Sequence, residues 1–527
     1  MSTSNLSGPS VGAKQRELTK LALLIGLGLL IRLAALPFSM TVDADAVSRV
    51  FNAWRWLSNP EIITHGTWGP LHTYLIAGTI WFSEDRVIPP ILLSIAFSVA
   101  TVIPMYFFTK KEFGEGASLF VSCVYLFYPV AVRNSLMAVS EVPFVLFVGL
   151  SLPLLSMSRH ENGSWKHALG AGLALTLAAM LRYEAWVLSP LMWTLLWKKP
   201  RLLAVFVASS MLFPIFWMLG NQAYYGDALY SMHETEHFAL VLEGSNDELT
   251  VATMIERIVR YPAALLFGLT PLIAAMSVVG AALSLIRRKK HAIWLIPSIG
   301  LTVAQFMKTL DGSIFSRPRY GLVLGMLLIP FSAEIFNRVT QETPRRMLAI
   351  TVVCSMIPLS YLGRYSRLDP FIPNGIEAIP RLERSTEVLN VSEVISEQID
   401  NGDGGLILDF LSWEDTFYIA LMSRLHPDRI FIFPGLRHQE LDLKRLEEFI
   451  DHYGTGVLLL KKGSQYPDVA GPLQSTLMIN GFDRSVELDL LHETEGSVIY
   501  RYQVTPSGIN QEATQSGAPR LDSLLRR

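Results

Sequence analysis

The sequence predicts a mainly α-helical polytopic membrane protein, with about eleven transmembrane helices and a C-terminal α/β domain. Half of the 527 residues are hydrophobic, only 17% are charged, and the mean hydropathy is +0.35. A soluble domain carries about 25% charged residues. Long apolar segments fill residues 21–362, and shorter ones alternate with helical patterns after that. The net charge of −2 argues against a nucleic-acid partner.

Long apolar segments define the candidate spans, because crossing the hydrocarbon core takes about 20 residues. The segments at 166–181 and 185–197 are the shortest of them. The approximate limits are 21–40, 88–109, 115–132, 141–157, 166–181, 185–197, 202–220, 262–286, 291–307, 319–336 and 347–362.

Basic residues cluster at alternate ends of these segments, which predicts the topology. The clusters are Lys14, Arg16 and Lys20; Lys110 and Lys111; Arg159 and Lys166; Lys198, Lys199 and Arg201; Arg287, Arg288, Lys289 and Lys290; Arg338, Arg345 and Arg346. The positive-inside rule puts all of them, and the N-terminal segment 1–20, in the cytoplasm. An odd number of spans then places the C-terminal domain outside. The transmembrane domain is predicted over 21–362, with long outer loops at 41–87 and 221–261, and the first loop contains an amphipathic stretch at 46–57.

The pattern changes after residue 362. Short apolar runs (GLILDF, RIFIF and GVLLL) alternate with helical patterns near 415–424 and 441–453, which predicts an α/β extracytoplasmic domain over 363–504 with a partly parallel sheet. Residues 485–504 are typical of a closing hairpin. The tail, 505–527, is rich in Gly, Ser and Gln and is predicted to be disordered.

Several arginines at the predicted outer face break the charge bias that defines the topology. They are Arg32, Arg133, Arg182, Arg317 and Arg319. One explanation is snorkelling, or pairing with nearby acids such as Glu141 and Glu184. The other is anion binding, because guanidinium groups at headgroup level suit a lipid phosphate. For the set as a whole, anion binding is favoured.

Acidic residues lie at the same predicted level. Asp43 and Asp45 follow the first span directly, and charges at the membrane edge favour a functional role. Each aspartate alone is also explained as a helix N-cap, and Glu141 or Glu184 alone as an arginine partner. Together with the arginines, they predict one charged, outward-facing cavity at the lipid boundary.

Histidines give weaker indications. His65 lies in THGTWGPLHTYL and suits either substrate binding or a structural role. His233 and His237 are four residues apart in HETEH, but the order His-Glu-x-x-His of zinc proteases is absent. Metal binding by this pair is therefore disfavoured.

The charged residues and several short motifs of this chain resemble those of the GT-C superfamily of multi-span, polyprenyl-phosphate-sugar-dependent glycosyltransferases. They are similar to the protein mannosyltransferase and aminoarabinose transferase-like group of that superfamily. The resemblance extends over most of the membrane part. Its motifs are Arg32; Asp43 and Asp45; Gly66, Trp68, Pro70 and Leu71; Glu141; Arg182, Tyr183 and Glu184; Asn221, Tyr225, Gly226 and Asp227; and Arg317, Arg319 and Tyr320. Their order and common membrane side make the set specific.

The resemblance implies transfer of a sugar, with inversion, from a polyprenyl-phosphate donor to an acceptor glycan, lipid or protein outside the cell membrane. Asp43 or Asp45 would be the catalytic base. Donor phosphate would be bound by Arg319, Arg182, Arg317, Arg133 and Tyr320. Substrate would be bound by Glu141, Glu184, His65, Trp68 and Tyr183. Contact with membrane lipids is expected throughout.

The first-loop pair departs from the family's usual pattern. It reads Asp-Ala-Asp where the family often has Asp-Glu, which leaves the identity of the base open. It also allows a divalent metal, Mg²⁺ or Mn²⁺, as in the oligosaccharyltransferase branch. No other cofactor is implied.

A transporter or flippase of lipid-linked sugars is the alternative function. It would use the same arginines to bind a phosphate, but transporters usually have internal repeats and binding elements near the midplane. This chain has no visible repeat, and its unusual charges lie at one predicted face. Glycosyl transfer is therefore the favoured prediction.

Overall fold

A computed structural model describes most of the chain. The described residues are 11–39, 43–62, 67–83, 85–160, 163–242, 250–311, 318–339, 341–360, 386–399, 404–434, 442–462, 476–478 and 484–506. They belong to two compact units. The first comprises residues 1–39, 61–79 and 88–381, and the second comprises residues 40–60, 80–87 and 382–527.

The first unit is helical. Its helices are α1 (Val11–Ala35), α3 (Pro70–Trp81, whose last two residues belong to the second unit), α4 (Ile88–Ala100), α5 (Val102–Phe113), α6 (Glu115–Phe127), α7 (Pro129–Ser135), α8 (Glu141–Arg159), α9 (Trp165–Ala179), α10 (Glu184–Trp193), α11 (Pro200–Ser210), α12 (Leu212–Tyr225), α13 (Tyr230–Leu242), α14 (Val251–Leu269), α15 (Pro271–Ile286), α16 (Leu295–Leu310), α17 (Gly321–Leu328), α18 (Ala333–Phe336) and α19 (Glu342–Ser360). Helix α2 (Ala44–Ser58) belongs to the second unit.

Several of these helices, alone or continued by the next element, are long and apolar enough to cross a membrane; Ile88–Phe113, for example, joins α4 and α5. Within the described ranges five qualify, or seven if each of two bent helix pairs counts as one span. The predicted mainly helical, multi-pass class is confirmed. The count of about eleven spans stays a prediction, because some expected spans are short, such as α9 with 15 residues.

Breaks in the apolar segments have local causes. Helices α6 and α7 meet at a 54° bend, where Pro129 begins α7. Proline lacks the N–H that would continue the hydrogen-bond ladder but suits the first helical turn. Helices α14 and α15 are separated by Thr270, whose φ of 66° lies outside the helical region, and Pro271 again begins the next helix.

The second unit carries a six-stranded mixed sheet. Its strands are β1 (Gly405–Leu408), β2 (Ile430–Ile432), β3 (Thr455–Lys461), β4 (Thr476–Met478), β5 (Arg484–Glu493) and β6 (Ser497–Pro506), in the order β2-β1-β3-β6-β5-β4. Strand β1 is parallel to β2 and β3, and the other pairs are antiparallel. The helices beside it are α20 (Thr386–Ile399), α21 (Trp413–Met422) and α22 (Leu443–Tyr453).

The predicted α/β domain and its closing hairpin are therefore confirmed. Alternate residues of the strands, such as Leu458 and Tyr500, enter one apolar core with Ile450 of α22. Strand β6 continues to Pro506, two residues into the segment predicted as tail. The rest of that segment and the predicted domain boundary at residue 363 lie outside the described residues.

Helix α2, the amphipathic segment predicted in the first outer loop, packs in the second unit. Its Phe51 ring lies 5.5 Å from the ring of Phe417 on α21. At its C-terminal end, Ser58 Oγ is 2.7 Å from His426 Nε2. Phe51 and Trp54 are buried. Although the sequence analysis placed this segment in the membrane domain, its packing partners belong to the α/β domain.

Candidate active site

The first unit brings together four of the charged residues singled out from the sequence, Arg182, Arg319, Glu141 and Glu184. Arg182, in the turn between α9 and α10, directs Nη1 to Glu141 Oε1 at 2.8 Å and Nη2 to Glu184 Oε1 at 2.7 Å. Its Nε donates to the same Glu184 oxygen at 3.0 Å, and Nη1 also donates to Ser140 Oγ at 3.3 Å. This guanidinium thus bridges two carboxylates.

Arg319 joins the same cluster. Its Nε lies 3.3 Å from Glu141 Oε1, so Glu141 serves both guanidiniums. The Tyr320 ring lies beside both arginines, with its centroid 5.0 Å from Arg182 Cζ and 5.4 Å from Arg319 Cζ, within cation–π range. We call Arg182, Arg319, Glu141, Glu184 and Tyr320 the charged cluster.

Local structure explains why these residues converge. Glu141 and Glu184 each begin a helix, α8 and α10, where a carboxylate is stabilised by the helix N-terminus. Arg319 and Tyr320 form a short 3-10 turn directly before α17. The side chains of Glu141 and Arg319 are only 5% and 7% exposed, so the charges are held where water screens them little.

A segment from the G-x-W-x-P-L motif lies beside Arg182. The Leu71 N–H donates to the Met180 carbonyl at 3.2 Å. A Cβ on Gly69 would lie 2.3 Å from that same carbonyl oxygen, so only glycine allows this approach. The neighbouring Trp68 is half-buried, and Tyr183 packs edge-on against Trp186 at 5.4 Å.

Two residues near the charged cluster were not singled out from the sequence. The Tyr261 hydroxyl, on α14, donates to Gln305 Oε1 on α16 at 2.8 Å, and both side chains are buried. Tyr261 also interacts electrostatically with Glu184. The sequence signal that could have identified Tyr261 and Gln305 was the presence of polar side chains within apolar helices.

Asp43 and Asp45 lie in the second unit, at the start of α2. Asp43 is the N-cap residue, and its Oδ1 accepts the Asp45 N–H at 3.1 Å. Asp45 lies in the first turn of the helix. The N-cap role left open for these residues is therefore observed for Asp43, and both aspartates are half-buried.

The remaining predicted residues lie on other elements or outside the described residues. Arg133 is half-buried near the end of α7. Arg32 is fully buried in α1 and donates from Nε and Nη2 to Ser98 Oγ at 3.1 and 2.9 Å. His65 and Arg317 lie outside the described residues.

The HETEH segment forms a hydrogen bond with Asp227. His233 Nδ1 lies 2.7 Å from Asp227 Oδ2, and both side chains are largely exposed. The hydrogen bond from His233 lowers the pKa of the Asp227 carboxyl. Among the described residues, no group of three or more His, Cys, Asp or Glu side chains is arranged to hold a metal ion.

Comparison with known proteins agrees with this fold. Residues 64–219 match the family model of dolichyl-phosphate-mannose-protein mannosyltransferase. No curated protein matches the chain in sequence. The structure of ArnT from Cupriavidus metallidurans bound to undecaprenyl phosphate is similar, with a TM-score of 0.62 and 12% identity, covering 91% of this chain and 97% of ArnT.

Two further structures are similar. The apo state of the same ArnT gives a TM-score of 0.60 at 11% identity, covering 92% of this chain and 98% of ArnT. The Archaeoglobus fulgidus oligosaccharyltransferase tethered with an acceptor peptide gives 0.51 at 10% identity, covering 85% of this chain and 69% of that protein. The chain therefore shares its fold with these proteins, its residues 64–219 resemble the mannosyltransferase family, and it is a multi-pass membrane protein.

Proposed function

We propose that the protein transfers a sugar from a polyprenyl-phosphate donor to an acceptor hydroxyl on the extracytoplasmic face, with inversion. The charged cluster carries this proposal, because one buried and one half-buried guanidinium, those of Arg319 and Arg182, are held together by carboxylates from two helices. A buried array of this kind costs desolvation energy and is weak evidence for stability. It suits a site that receives an anion.

Arg319 is the proposed main ligand of the donor phosphate. Arg182 directs Nε, Nη1 and Nη2 to Glu141 and Glu184. It therefore holds these two carboxylates in position and also adds positive charge to the site. Tyr320, Arg133 and Arg317 are proposed to assist phosphate binding. ArnT, which has the same fold, binds undecaprenyl phosphate, and this supports the assignment.

One of Asp43 and Asp45 is the proposed base, and Asp43 is favoured because it lies nearest the first span. The carboxylate takes the proton of the acceptor hydroxyl as its oxygen bonds to the anomeric carbon. The bond from that carbon to the phosphate oxygen breaks on the opposite face, which inverts the centre. The phosphate leaves with its charge stabilised by arginine.

The second aspartate would orient the acceptor or share a divalent metal. Two half-buried carboxylates fit Mg²⁺ or Mn²⁺, which bind protein through one or two carboxylates together with substrate phosphate. Bound metal would supply further charge stabilisation. Glu141, Glu184, His65, Trp68 and Tyr183 are proposed to contact substrate.

A donor-cleavage assay tests this function. Purified protein is incubated with a radiolabelled polyprenyl-phosphate sugar and an extract of envelope acceptors, with and without a chelator. Release of polyprenyl phosphate with transfer of the label supports glycosyl transfer. Binding of the intact donor without turnover, together with its movement across a vesicle bilayer, would instead support the transporter.

The proposed orientation is tested separately. Reporter fusions at Lys289 and Ser366 should report opposite compartments, cytoplasmic and extracytoplasmic, because the basic loops are placed inside. The same compartment for both fusions would overturn the topology.

A further inference from the structure

A second polar site lies at the other end of helix α8 from the charged cluster. This helix runs from Glu141 to Arg159, 19 residues, which span roughly 28 Å at 1.5 Å per residue. That is close to the thickness of the hydrocarbon core, about 30 Å. At the far end, Arg159 Nη1 lies 3.6 Å from Glu112 Oε1. The two sites therefore lie at opposite ends of a helix of membrane-spanning length.

The second site is a cavity of about 470 Å³ formed by the ends of α5 and α18 and the connection from α15 to α16. Glu112, Phe113, His291, Glu334 and Asn337 contribute to its lining. Four basic side chains complete it, and all four are exposed: Arg287, Lys289, Lys290 and Arg338. We call these four the basic rim.

The acids of the cavity are engaged elsewhere. Glu112 accepts a hydrogen bond from Ser156 and faces Arg159. Glu334 Oε1 lies 3.1 Å from His291 Nε2, and the Phe113 ring packs 4.3 Å from the His291 ring. Neither carboxylate forms an ion pair with the basic rim.

The basic rim consequently has excess positive charge. Within the described part of the chain, its four side chains make no hydrogen bond or ion pair. Two other basic residues on the same predicted side are paired, Lys20 with Glu115 and Lys110 with Glu17. The positive-inside bias explains basic loops, but not their convergence with a buried polar floor. Converging cations around a concave site focus the potential that attracts an anion.

We propose that this cavity binds a phosphate-bearing anion, the headgroup of an anionic phospholipid from the cytoplasmic leaflet. Its volume lies in the usual range for ligand pockets, about 300–1,000 Å³, and guanidinium forks suit phosphate oxygens. Leu285 and Ile286, which directly precede the rim, are 54% and 77% exposed and provide an apolar surface for the acyl chains. Basic pockets between membrane helices on the cytoplasmic side are suited to such headgroups.

The test compares two double variants of equal charge in the full-length protein. Lys289→Gln with Arg338→Gln removes one lysine and one arginine from the basic rim. Lys166→Gln with Arg201→Gln removes the same charges from exposed positions that do not line the cavity. Binding of phosphatidylglycerol, phosphatidylcholine and soluble glycerol phosphate is measured by native mass spectrometry, together with thermal stabilisation.

We expect wild type and the Lys166/Arg201 variant to prefer phosphatidylglycerol over phosphatidylcholine. The Lys289/Arg338 variant should bind phosphatidylglycerol about thirtyfold more weakly, since each basic residue adds to the attraction for anionic lipid. Arg287→Gln with Lys290→Gln provides a second rim variant should the first misfold. If soluble glycerol phosphate alone saturates the cavity, the phosphate site is supported, and its ligand is a soluble anion instead of a lipid headgroup.

Equal weakening in the rim and control variants, or no preference for the anionic lipid, would overturn the proposal. Binding is measured without any sugar donor. The result is therefore independent of the proposed transferase reaction. Failure of the lipid-binding proposal would not contradict glycosyl transfer, and failure of glycosyl transfer would not contradict lipid binding.

Discussion

The two regions that hold the candidate chemistry are built differently. In the helical unit, the charged cluster is internally paired around a buried centre, Glu141 and Arg319, with Glu141 contacting both Arg182 and Arg319. In the α/β unit, Asp43 and Asp45 lie half-buried at the start of α2. The first arrangement fixes charges in a medium of low dielectric constant, whereas the second leaves carboxylates accessible to exchange protons.

This difference matches the two tasks that we propose. An anion-binding site benefits from guanidiniums that are fixed before the ligand arrives, because little reorganisation is then needed. A general base must accept a proton and release it again, which burial in an ion-pair network would hinder. The regions should therefore respond differently to substitution.

The largest expected effect on stability is for Glu141→Gln. Removing this carboxylate takes an ion-pair partner from both Arg182 and the buried Arg319, and loss of one member of a buried pair costs about 3 kcal/mol or more. Thermal unfolding in detergent should show a clearly lower midpoint. Glu115→Gln is the control, because the Lys20–Glu115 pair is exposed and such pairs contribute about 0–1 kcal/mol. Equal midpoints for the two variants would contradict the buried network.

Phe417→Ala tests how the α/β unit holds the aspartates. Phe417 contacts Phe51 of α2 and stacks on Trp413 at 6.0 Å. We expect a loss of about 2 kcal/mol, below the full cost of a buried phenylalanine because the side chain is half-buried. Hydrogen exchange of α2 should accelerate, and turnover should fall while donor affinity is kept. Leu389→Ala, at an exposed position of α20, is the control. Unchanged exchange in α2 would contradict the packing role.

Gly69→Ala tests the segment beside the charged cluster. A Cβ there would meet the Met180 carbonyl at 2.3 Å, so the Leu71–Met180 hydrogen bond must shift. We expect a cost of about 1–2 kcal/mol and weaker substrate binding through displacement of Trp68. Gly78→Ala provides the control, because nothing lies within 4 Å of its added Cβ. Similar stability and affinity in both variants would argue against the close approach.

The smallest expected effect concerns pH and Glu387 on α20. The Thr494 hydroxyl, the Gly496 N–H at 2.9 Å and the Ser497 hydroxyl donate to this carboxylate and lower its pKa. A lowered pKa in the folded state stabilises the protein at neutral pH, and this contribution is lost as the pH falls through that value. Glu387→Gln should therefore reduce the drop in thermal midpoint on acidification, whereas Glu393→Gln on the same helix should not. An unchanged drop would contradict the linkage.

Sequence reasoning identified the fold class because membrane segments and short strands leave strong patterns in hydropathy. It also singled out all five members of the charged cluster. The two arginines break the charge bias at the predicted outer face, the two glutamates lie at the same predicted level, and Tyr320 belongs to a motif of the resemblance. Sequence reasoning did not show that Glu141 serves both arginines, since that contact joins residues 178 positions apart. Nor did it identify Tyr261 and Gln305, whose pairing depends on the packing of α14 against α16.

The placement of α2 was also beyond the sequence. Its amphipathic pattern predicts a helix with one apolar face but does not indicate which element packs against that face. Its position in the loop 41–87, between two predicted spans, favoured the membrane domain. The partner is α21, more than 350 residues away along the chain. Such long-range packing is set by complementary surfaces, which a single sequence does not reveal.

The central claim is that donor binding and proton transfer reside in different regions. The most direct test measures donor affinity and turnover side by side for Arg319→Ala, Asp43→Asn and Asp45→Asn. We expect Arg319→Ala to weaken donor affinity. One of the aspartate variants should bind donor like wild type but turn over roughly 10²–10⁴-fold more slowly. Wild-type turnover in both aspartate variants, or wild-type donor affinity in Arg319→Ala, would contradict the account.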